Sequence, residues 1–282
     1  MTKSNLQIRF TVLTLFPELI QNYIADALIS KAIVKNLFQV NVISLRDFTE
    51  GRYKSVDDVP YGGGDGMLLK ASVLESAVES VLKNNNAARK VIYLSPQGEI
   101  WNNQLAKAMA TNWLDRDENK NSDGEVIQEI ILVCGRYAGI DQRFINKYVT
   151  QEISIGDYIL SGGELAALVL IESISRFIPG VLGDGQSAFS DSFADDLLEA
   201  PQFTKPQCWA DMNVPDVLVS GHHLNISEWK KFCSLLVTYK KRPDLFTRFF
   251  SQQTITMPQL QKFYRSLSES EKKVLQIENI EI

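Results

Sequence analysis

The sequence predicts an α/β protein, with a mainly parallel sheet in the first two thirds of the chain and a small all-α domain after it. Up to about residue 177, short apolar runs alternate with amphipathic stretches, which is the pattern of α/β proteins. One run, IILVC at 130–134, is apolar throughout, as expected for a strand buried on both faces of a parallel sheet. Beyond residue 202 the apolar residues follow helical spacing only. Hydrophobic residues make up 45% of the chain and charged residues 22%, so we expect it to fold throughout.

In chain order, the alternation gives strands and helices in turn. The apolar, β-branched runs predict strands at Ile8–Leu15, Phe38–Ser44, Lys90–Leu94, Glu129–Cys134 and Thr150–Ile155. Apolar residues at three-to-four spacing predict helices at Leu19–Val34, Lys70–Lys83, Asn102–Asn112, Ile140–Tyr148 and Glu164–Phe177. The polar stretch 115–128 interrupts this pattern, and we interpret it as a solvated surface excursion.

A change of composition marks the domain boundary. Between Pro179 and Pro201 the sequence loses its periodicity and gathers Gly, Ser and Asp, which indicates a linker. We therefore predict a first domain over 1–182, a flexible linker over 183–201 and a second domain over 202–282.

The second domain is predicted to be entirely helical. Asn225 followed by Glu228 resembles a capping box and predicts a helix over Ile226–Tyr239. Shorter helices are predicted to start at Pro243, Pro258 and Ser268. A hydrophobic core of this size gives only marginal stability, so we expect the domain to pack against a partner surface.

Cysteine, histidine and charge content exclude several classes of protein. The three cysteines (Cys134, Cys208, Cys233) and the pair His222 and His223 have no metal-ligand spacing, so we expect no zinc site and a reducing cytoplasm. Arg9 and Pro17 interrupt the apolar N-terminal stretch, which favours a core strand over a signal peptide, and no run is long enough to span a bilayer. The net charge is −5, yet residues 202–282 hold 11 Lys and Arg against 8 Asp and Glu. The second domain is thus one candidate for a basic face that binds phosphate groups.

Glycine-rich turns mark the candidate binding loops. The segment 61–67, YGGGDGM, fits no nucleotide-binding motif and is equally compatible with a structural turn and a substrate-facing loop. Three further turns, at 93–98, 134–139 and 155–163, follow predicted strands. Ligands of open α/β sheets bind beyond the carboxyl ends of strands, so these loops can converge on one pocket, although similar turns occur throughout α/β proteins.

Spacing alone assigns no chemistry to the remaining charged residues. Arg176 reads as a charge at a helix end, and Asp191 as one of several acids in a solvated linker. The basic, aromatic-rich segment 226–248 is equally compatible with an amphipathic helix whose lysines are merely solvated and with a phosphate-binding surface.

Six segments in order carry a resemblance to a known family. They are LTLFPEL at 13–19, DDVPYGGGDGM at 57–67, YLSPQG at 93–98, CGRYAGID at 134–141, EISIGDYILSGGEL at 152–165 and RFIPGVLG at 176–183. Together they resemble the bacterial tRNA (guanine-N1)-methyltransferase family. The resemblance implies a SPOUT-type fold, in which a parallel sheet carries a deep trefoil knot, an exception to the rule against knots.

The same resemblance implies a cofactor and its site. S-adenosylmethionine would bind in the knot, mostly through backbone groups. The residues that match this site are Tyr93, Leu94, Ser95, Pro96, Gly135, Ile155, Gly156, Asp157, Tyr158, Ile159, Leu160, Gly162 and Gly163.

The family resemblance also implies substrate, partner and catalytic residues. Family members are homodimers with the site between subunits, and they methylate N1 of the guanine at tRNA position 37. Arg176 and Asp191 fall on the catalytic arginine and the catalytic base. The Gly, Ser and Asp content of the linker and its lack of periodicity separately predict that it is mobile until tRNA binds. Mg²⁺ is a candidate cofactor, although the sequence shows no metal-ligand motif.

The tRNA contacts are assigned to the second domain, where Lys205, Lys240, Lys241 and Arg242 are the expected contacts. Ala138 departs from the family's usual Glu, and Lys205 from its usual Arg, which weakens one polar contact near the cofactor and one bidentate phosphate contact. Two alternatives remain: a SPOUT enzyme that methylates a ribose 2′-hydroxyl, and a catalytically silent RNA-binding protein that kept the knot.

Overall fold

The computed structural model describes residues 6–49, 55–83, 88–114, 126–185, 188, 191–250 and 255–281. It forms two compact units, 1–185 and 186–282. Most of the segment predicted as a linker, 183–201, thus belongs to the second unit. The stretch 115–125 of the predicted surface excursion lies outside the described residues.

The first unit is built on a parallel sheet of five strands in the order β2-β1-β6-β5-β7. Its strands are β1 (Leu6–Thr14), β2 (Phe38–Ser44), β5 (Ala88–Ile100), β6 (Val126–Cys134) and β7 (Gln151–Ser154), with a separate antiparallel hairpin of β3 (Asp57–Asp58) and β4 (Leu68–Leu69). Each predicted strand is confirmed. The strand β5 continues six residues beyond the predicted end at Leu94, however, because Glu99 and Ile100 pair with β7 a second time after a register shift.

Helices cover the sheet of the first unit. They are α1 (Pro17–Ile24), α2 (Ala27–Val34), α3 (Ala71–Leu82), α4 (Asn103–Leu114), α5 (Gln142–Tyr148) and α6 (Glu164–Ser175), with a 3₁₀ turn at Leu45–Phe48. The prediction of one helix over Leu19–Val34 is wrong. Asp26 is extended, with φ −125° and ψ 168°, and its carboxylate accepts a hydrogen bond from the Ala27 N–H, so a second helix starts there.

The core of the first unit lies on both faces of the central strands. Residues 130–134 of β6 are all fully buried, as their apolar run predicts. On one face, α3 contributes Leu74 and Val78 to a cluster with Leu13 and Phe144. The strand ends are therefore held rigidly, which fixes the loops that follow them.

The second unit consists mainly of helices. They are α7 (Asp216–Val219), α8 (His223–Lys241), α9 (Pro243–Phe250), α10 (Met257–Ser266) and α11 (Glu269–Val274), and a hairpin of β8 (Cys208–Trp209) and β9 (Met212–Asn213) precedes them. The hairpin makes the all-α prediction wrong in this detail.

The helix starts of the second unit test the predictions made for them. Helices start at Pro243, at Met257, one residue before Pro258, and directly after Ser268, where a capping box opens the helix. The capping box at Asn225 is wrong, because α8 already begins at His223 and takes Asn225 into its first turn. No helix of the described ranges is long and apolar enough to cross a membrane.

Candidate active site

Three strand-end loops of the first unit enclose a cavity of about 490 Å³. Its wall is formed by residues 93–97, 135–140, 153–156 and 158–163, with Gln142, Ile145 and Ala166. The loops meet because β6, β5 and β7 are neighbours in a parallel sheet, so their carboxyl ends lie at one edge. Of the residues predicted to bind the cofactor, all but Asp157 line this cavity.

Backbone segments approach one another closely around the cavity. The Gly163 N–H donates a hydrogen bond to the Gly135 carbonyl at 3.0 Å, and a Cβ on Gly163 would lie 2.9 Å from the Cα of Cys134. Gly98 lies directly against β7, where a Cβ would lie 2.6 Å from the carbonyl carbon of Ile153. These two glycines are needed for space, because each lies where the main chain of one segment directly meets the main chain of another.

A buried ion pair fixes two of the loops. The Glu164 side chain is 2% exposed and lies 3.2 Å from the Arg136 guanidinium, measured from Oε2 to NH2. Glu164 Oε1 also accepts a hydrogen bond of 2.7 Å from the Thr14 hydroxyl. The Arg136 guanidinium carbon lies 4.2 Å from the centre of the Phe16 ring. Sequence reasoning missed this cluster, because its members are distant in the chain and Glu164 resembles an ordinary residue of a helix first turn.

The wall of the cavity contains no carboxylate, and Arg136 is its one charged side chain among the described lining residues. Burial, followed by the charge of Glu152, raises the pKa of Tyr93 to about 12, so its phenol stays protonated. Burial also raises the pKa of the Cys134 thiol well above its ordinary value. The cavity can bind a ligand through backbone and hydroxyl groups, but it offers no base for a proton transfer near neutral pH.

The glycine-rich segment 61–67 connects β3 to β4 and adjoins the cavity. The Ala138 N–H, in the cavity wall, donates to the Met67 carbonyl at 3.0 Å. A Cβ on Gly66 would lie 3.2 Å from the Cβ of Ala138. Tyr61 and the glycines after it are exposed beside the cavity, and a substrate-facing role for this segment stays a prediction.

The tRNA (Guanine-1)-methyltransferase TrmD family matches residues 8–248 of this chain. The chain belongs to this family.

Relatives named tRNA (guanine-N(1)-)-methyltransferase support this membership. The relative from Clostridioides difficile is 40% identical over 241 residues, which are 85% of this chain and 98% of the relative. The relative from Pseudomonas entomophila is 42% identical over 269 residues, 95% of each chain. The relative from Dehalococcoides mccartyi is 42% identical over 240 residues, 85% of this chain and 91% of the relative.

The two predicted catalytic residues of this family member lie in different units. Arg176 is partly buried directly after α6 in the first unit. Asp191 is partly buried in the second unit, at the start of a turn in which its carbonyl accepts from the Ala194 N–H at 3.2 Å. Their catalytic roles stay predictions.

The residues predicted to contact tRNA differ in their surroundings. Lys205 and Lys241 are exposed. The Lys240 ammonium donates to the Gln276 carbonyl at 2.6 Å, and the Arg242 guanidinium forms a bidentate pair with Asp244. Among the interleaved aromatic residues of this segment, Trp229, Phe246 and Phe249 are buried in the core of the second unit. This part of the amphipathic interpretation is confirmed, while phosphate binding by the cations stays a prediction.

The described residues do not fit a protein-built metal site. They include no group of three or more His, Cys, Asp or Glu side chains that could hold an ion. Mg²⁺ prefers oxygen ligands, carboxylates among them, and the described residues of the cavity wall include no Asp or Glu.

Proposed function

We propose that this protein transfers a methyl group from S-adenosylmethionine to N1 of the guanine at position 37 of tRNA. The observation that carries the proposal is the cavity at the strand ends of a chain that matches the tRNA (guanine-1)-methyltransferase family over most of its length. The names of its relatives give the reaction on guanine N1, and position 37 comes from the resemblance.

The cavity fits the methyl donor in size and in chemistry. Its volume of about 490 Å³ lies within the range of small-molecule sites. Leu94, Gly135 and Ile155 line it. By the resemblance, backbone groups at such positions would hold the adenine ring and the ribose, which carry hydrogen-bonding edges. S-adenosylmethionine supplies a methyl group bound to a positively charged sulfur. A ring nitrogen with a free lone pair can attack the carbon of this methyl group.

The chain must supply a base for this reaction. Guanine N1 carries a proton and cannot attack until that proton leaves. Because the described cavity wall holds no carboxylate, the base has to come from elsewhere in the protein. Asp191 is the proposed base: its carboxylate would take the N1 proton. The freed N1 lone pair would then form a bond to the methyl carbon, while the bond from that carbon to sulfur breaks and S-adenosylhomocysteine leaves.

Arg176 is proposed to stabilise the charge that deprotonation leaves on guanine O6. A free Asp titrates near a pKa of about 3.9, and each unit of mismatch with the group it deprotonates costs about 1.4 kcal/mol. A charge-assisted hydrogen bond contributes roughly 1.5 to 3 kcal/mol. Arg176 would therefore offset one or two pKa units of a mismatch that is several units wide. The remainder requires exclusion of water from the closed site. Mg²⁺ stays a prediction from the resemblance, since no ligand set among the described residues supports it.

A SPOUT-type knot and a homodimer are part of the proposal. The knot is taken from the resemblance; the second pairing of β5 with β7 and the close contact of Gly98 with that strand support main chain packed tightly against main chain at the site, as a knot requires. Leu19 of α1 and Leu165 of α6 are 51% and 59% exposed, on helices that touch each other, and support an apolar interface between two copies. Light scattering should give twice 31.8 kDa, and a mass of one chain would contradict the dimer.

A labelled-methyl assay tests the function. Purified protein, S-adenosylmethionine with a tritiated methyl group and an unmodified tRNA transcript with guanine at positions 36 and 37 should yield labelled tRNA. A transcript with adenine at position 37 is the matched control and should stay unlabelled. Equal labelling of both transcripts would reject the proposed target, and no labelling of either would reject the proposed enzyme activity.

A cytoplasmic location follows from the proposed tRNA substrate.

A further inference from the structure

Asp191 begins a compact turn, residues 191–198, that we call the Asp191 turn. The Phe193 N–H donates to the Leu197 carbonyl at 2.6 Å, and the Ala194 N–H donates to the Asp191 carbonyl at 3.2 Å. Phe193 and Asp196 have positive φ angles of 73° and 58°, which side chains other than glycine seldom adopt. Such angles persist only where the surrounding structure imposes them.

The surroundings that impose this conformation belong to helix α8. The Thr238 side chain is fully buried, and its hydroxyl accepts a hydrogen bond of 2.9 Å from the Leu198 N–H. One turn earlier, the Ser234 hydroxyl donates to the Leu198 carbonyl. Leu197 and Leu198 pack on the core of the second unit. Both backbone polar groups of Leu198 are therefore satisfied by α8, which fixes the end of the Asp191 turn.

Further contacts hold the middle of the turn. The Arg248 guanidinium of α9 lies 3.6 Å from the Asp196 carboxylate. The Arg242 guanidinium carbon lies 6.0 Å from the centre of the Phe193 ring. The Ser192 hydroxyl accepts a hydrogen bond of 2.9 Å from the Glu199 N–H, which closes the turn on itself.

We infer that Thr238 is a positioning residue for Asp191, acting through the Asp191 turn. The inference rests on the proposed function, in which Asp191 is the base. The helix that presents Lys241 to solvent thus also holds the turn that carries the base. Binding of tRNA by α8 would then also deliver the base to guanine. The composition of residues 183–201 predicts a different behaviour, a linker that is mobile until tRNA binds.

The test compares variants of two threonine hydroxyls on the helices of the second unit. Thr238→Val keeps the shape of the side chain but removes the acceptor for the Leu198 N–H, whereas Thr238→Ser keeps the hydroxyl. Thr247→Val is the control on a neighbouring helix, because among the described residues the exposed Thr247 hydroxyl bonds to the Pro243 carbonyl of its own helix and not to the Asp191 turn. The readouts are the single-turnover methylation rate at saturating tRNA and S-adenosylmethionine, and the Kd of each ligand.

We expect Thr238→Val to lower the single-turnover rate roughly ten- to hundredfold, the effect of a misplaced catalytic group. Both Kd values should stay within about twofold of wild type, since neither ligand contact is touched. The Thr238→Ser and Thr247→Val variants should keep the wild-type rate. A loss of rate that Thr238→Ser does not restore, or an equal loss from Thr247→Val, would indicate general damage to the unit and overturn the inference.

Two further variants keep the test decisive. If Thr238→Val does not fold, Ser192→Ala replaces it, because this change opens the turn without touching the core; a wild-type rate would overturn the inference. Asp191→Asn in the same assay separates the two proposals. If Asp191→Asn is slow and Thr238→Val is folded and fast, the base stands and its positioning by Thr238 is wrong. If Asp191→Asn is fast, the proposed base is wrong and the positioning inference fails with it.

Discussion

Replacing Gly98 by alanine tests the close packing on which the cavity depends. Gly98 lies where β5 passes β7, and a Cβ there would meet backbone atoms of Glu152 and Ile153, the farthest of the three at 2.6 Å. Ordinary van der Waals contact begins at 3.4 Å, so the two segments must separate by at least about 0.8 Å. Backbone in a packed sheet cannot turn aside as a flexible side chain can.

The expected cost follows from that displacement. Overpacking a core costs typically 1–3 kcal/mol, and contact with main chain on the far side places Gly98→Ala at the upper end. For a unit of this size, about 3 kcal/mol lowers the melting temperature by roughly 6 to 12 °C. Ser95 and Pro96, two or three residues away, belong to the cavity wall, so affinity for S-adenosylmethionine should fall at least about tenfold.

Calorimetry measures both effects, with Gly183→Ala as the matched control. A Cβ added at Gly183 would meet none of the described residues within 4 Å, and the residue has no positive φ, so its replacement should change stability by less than about 0.5 kcal/mol. A Gly98→Ala variant with the melting temperature and cofactor affinity of the control would refute the argument that β5 and β7 are locked together at the cavity.

Three further predictions concern the proposed chemistry, the basic segment and acid stability. Asp191→Asn should lower the single-turnover rate by roughly 10² to 10⁴, and adding Arg176→Ala should slow it little further, since both residues serve one deprotonation; multiplicative losses would contradict this. Replacing Lys240, Lys241 and Arg242 by Gln should reduce the slope of log affinity for tRNA against log salt by about 0.7 to 0.9 for each phosphate that is no longer bound, and an unchanged slope would mean that these cations are only solvated. The hydrogen bond from Arg242 lowers the pKa of Asp244 from 3.8 to about 2, so the pair stabilises the fold above pH 3.8 and loses this effect as the pH falls towards 2. Urea unfolding of Asp244→Asn should show a weaker pH dependence in that window, and an unchanged one would contradict the pairing.

Much of the first unit could be predicted from the sequence, because local patterns determine it. Phe38–Ser44 is a strand with the predicted bounds, and the run at 130–134 is as buried as its composition indicates. The break at Asp26 was missed, since the apolar spacing continues across it and a single side-chain cap decides where the second helix starts. The long β5 was missed because its second pairing depends on β7, more than 50 residues away.

The candidate site was predictable only where it is made of loops at strand ends. The cavity wall follows from strand order, and the resemblance assigned half of its residues. The cluster of Thr14, Arg136 and Glu164 has no local signature, because its contacts join three distant segments. The Gly, Ser and Asp content around Asp191 predicted a linker that is mobile until tRNA binds. It gave no sign that Leu197 and Leu198 pack on the core of the second unit or that the Leu198 N–H bonds to the Thr238 hydroxyl, because these contacts join distant segments.

The chemical identity of the product tests the proposed function most directly. An unmodified tRNA transcript with guanine at positions 36 and 37 is incubated with the protein and S-adenosylmethionine, digested and analysed by mass spectrometry. The expected product is 1-methylguanosine at position 37 and at no other position. A methyl group on a ribose 2′-oxygen, on another base, or on no nucleoside at all would contradict the proposed reaction.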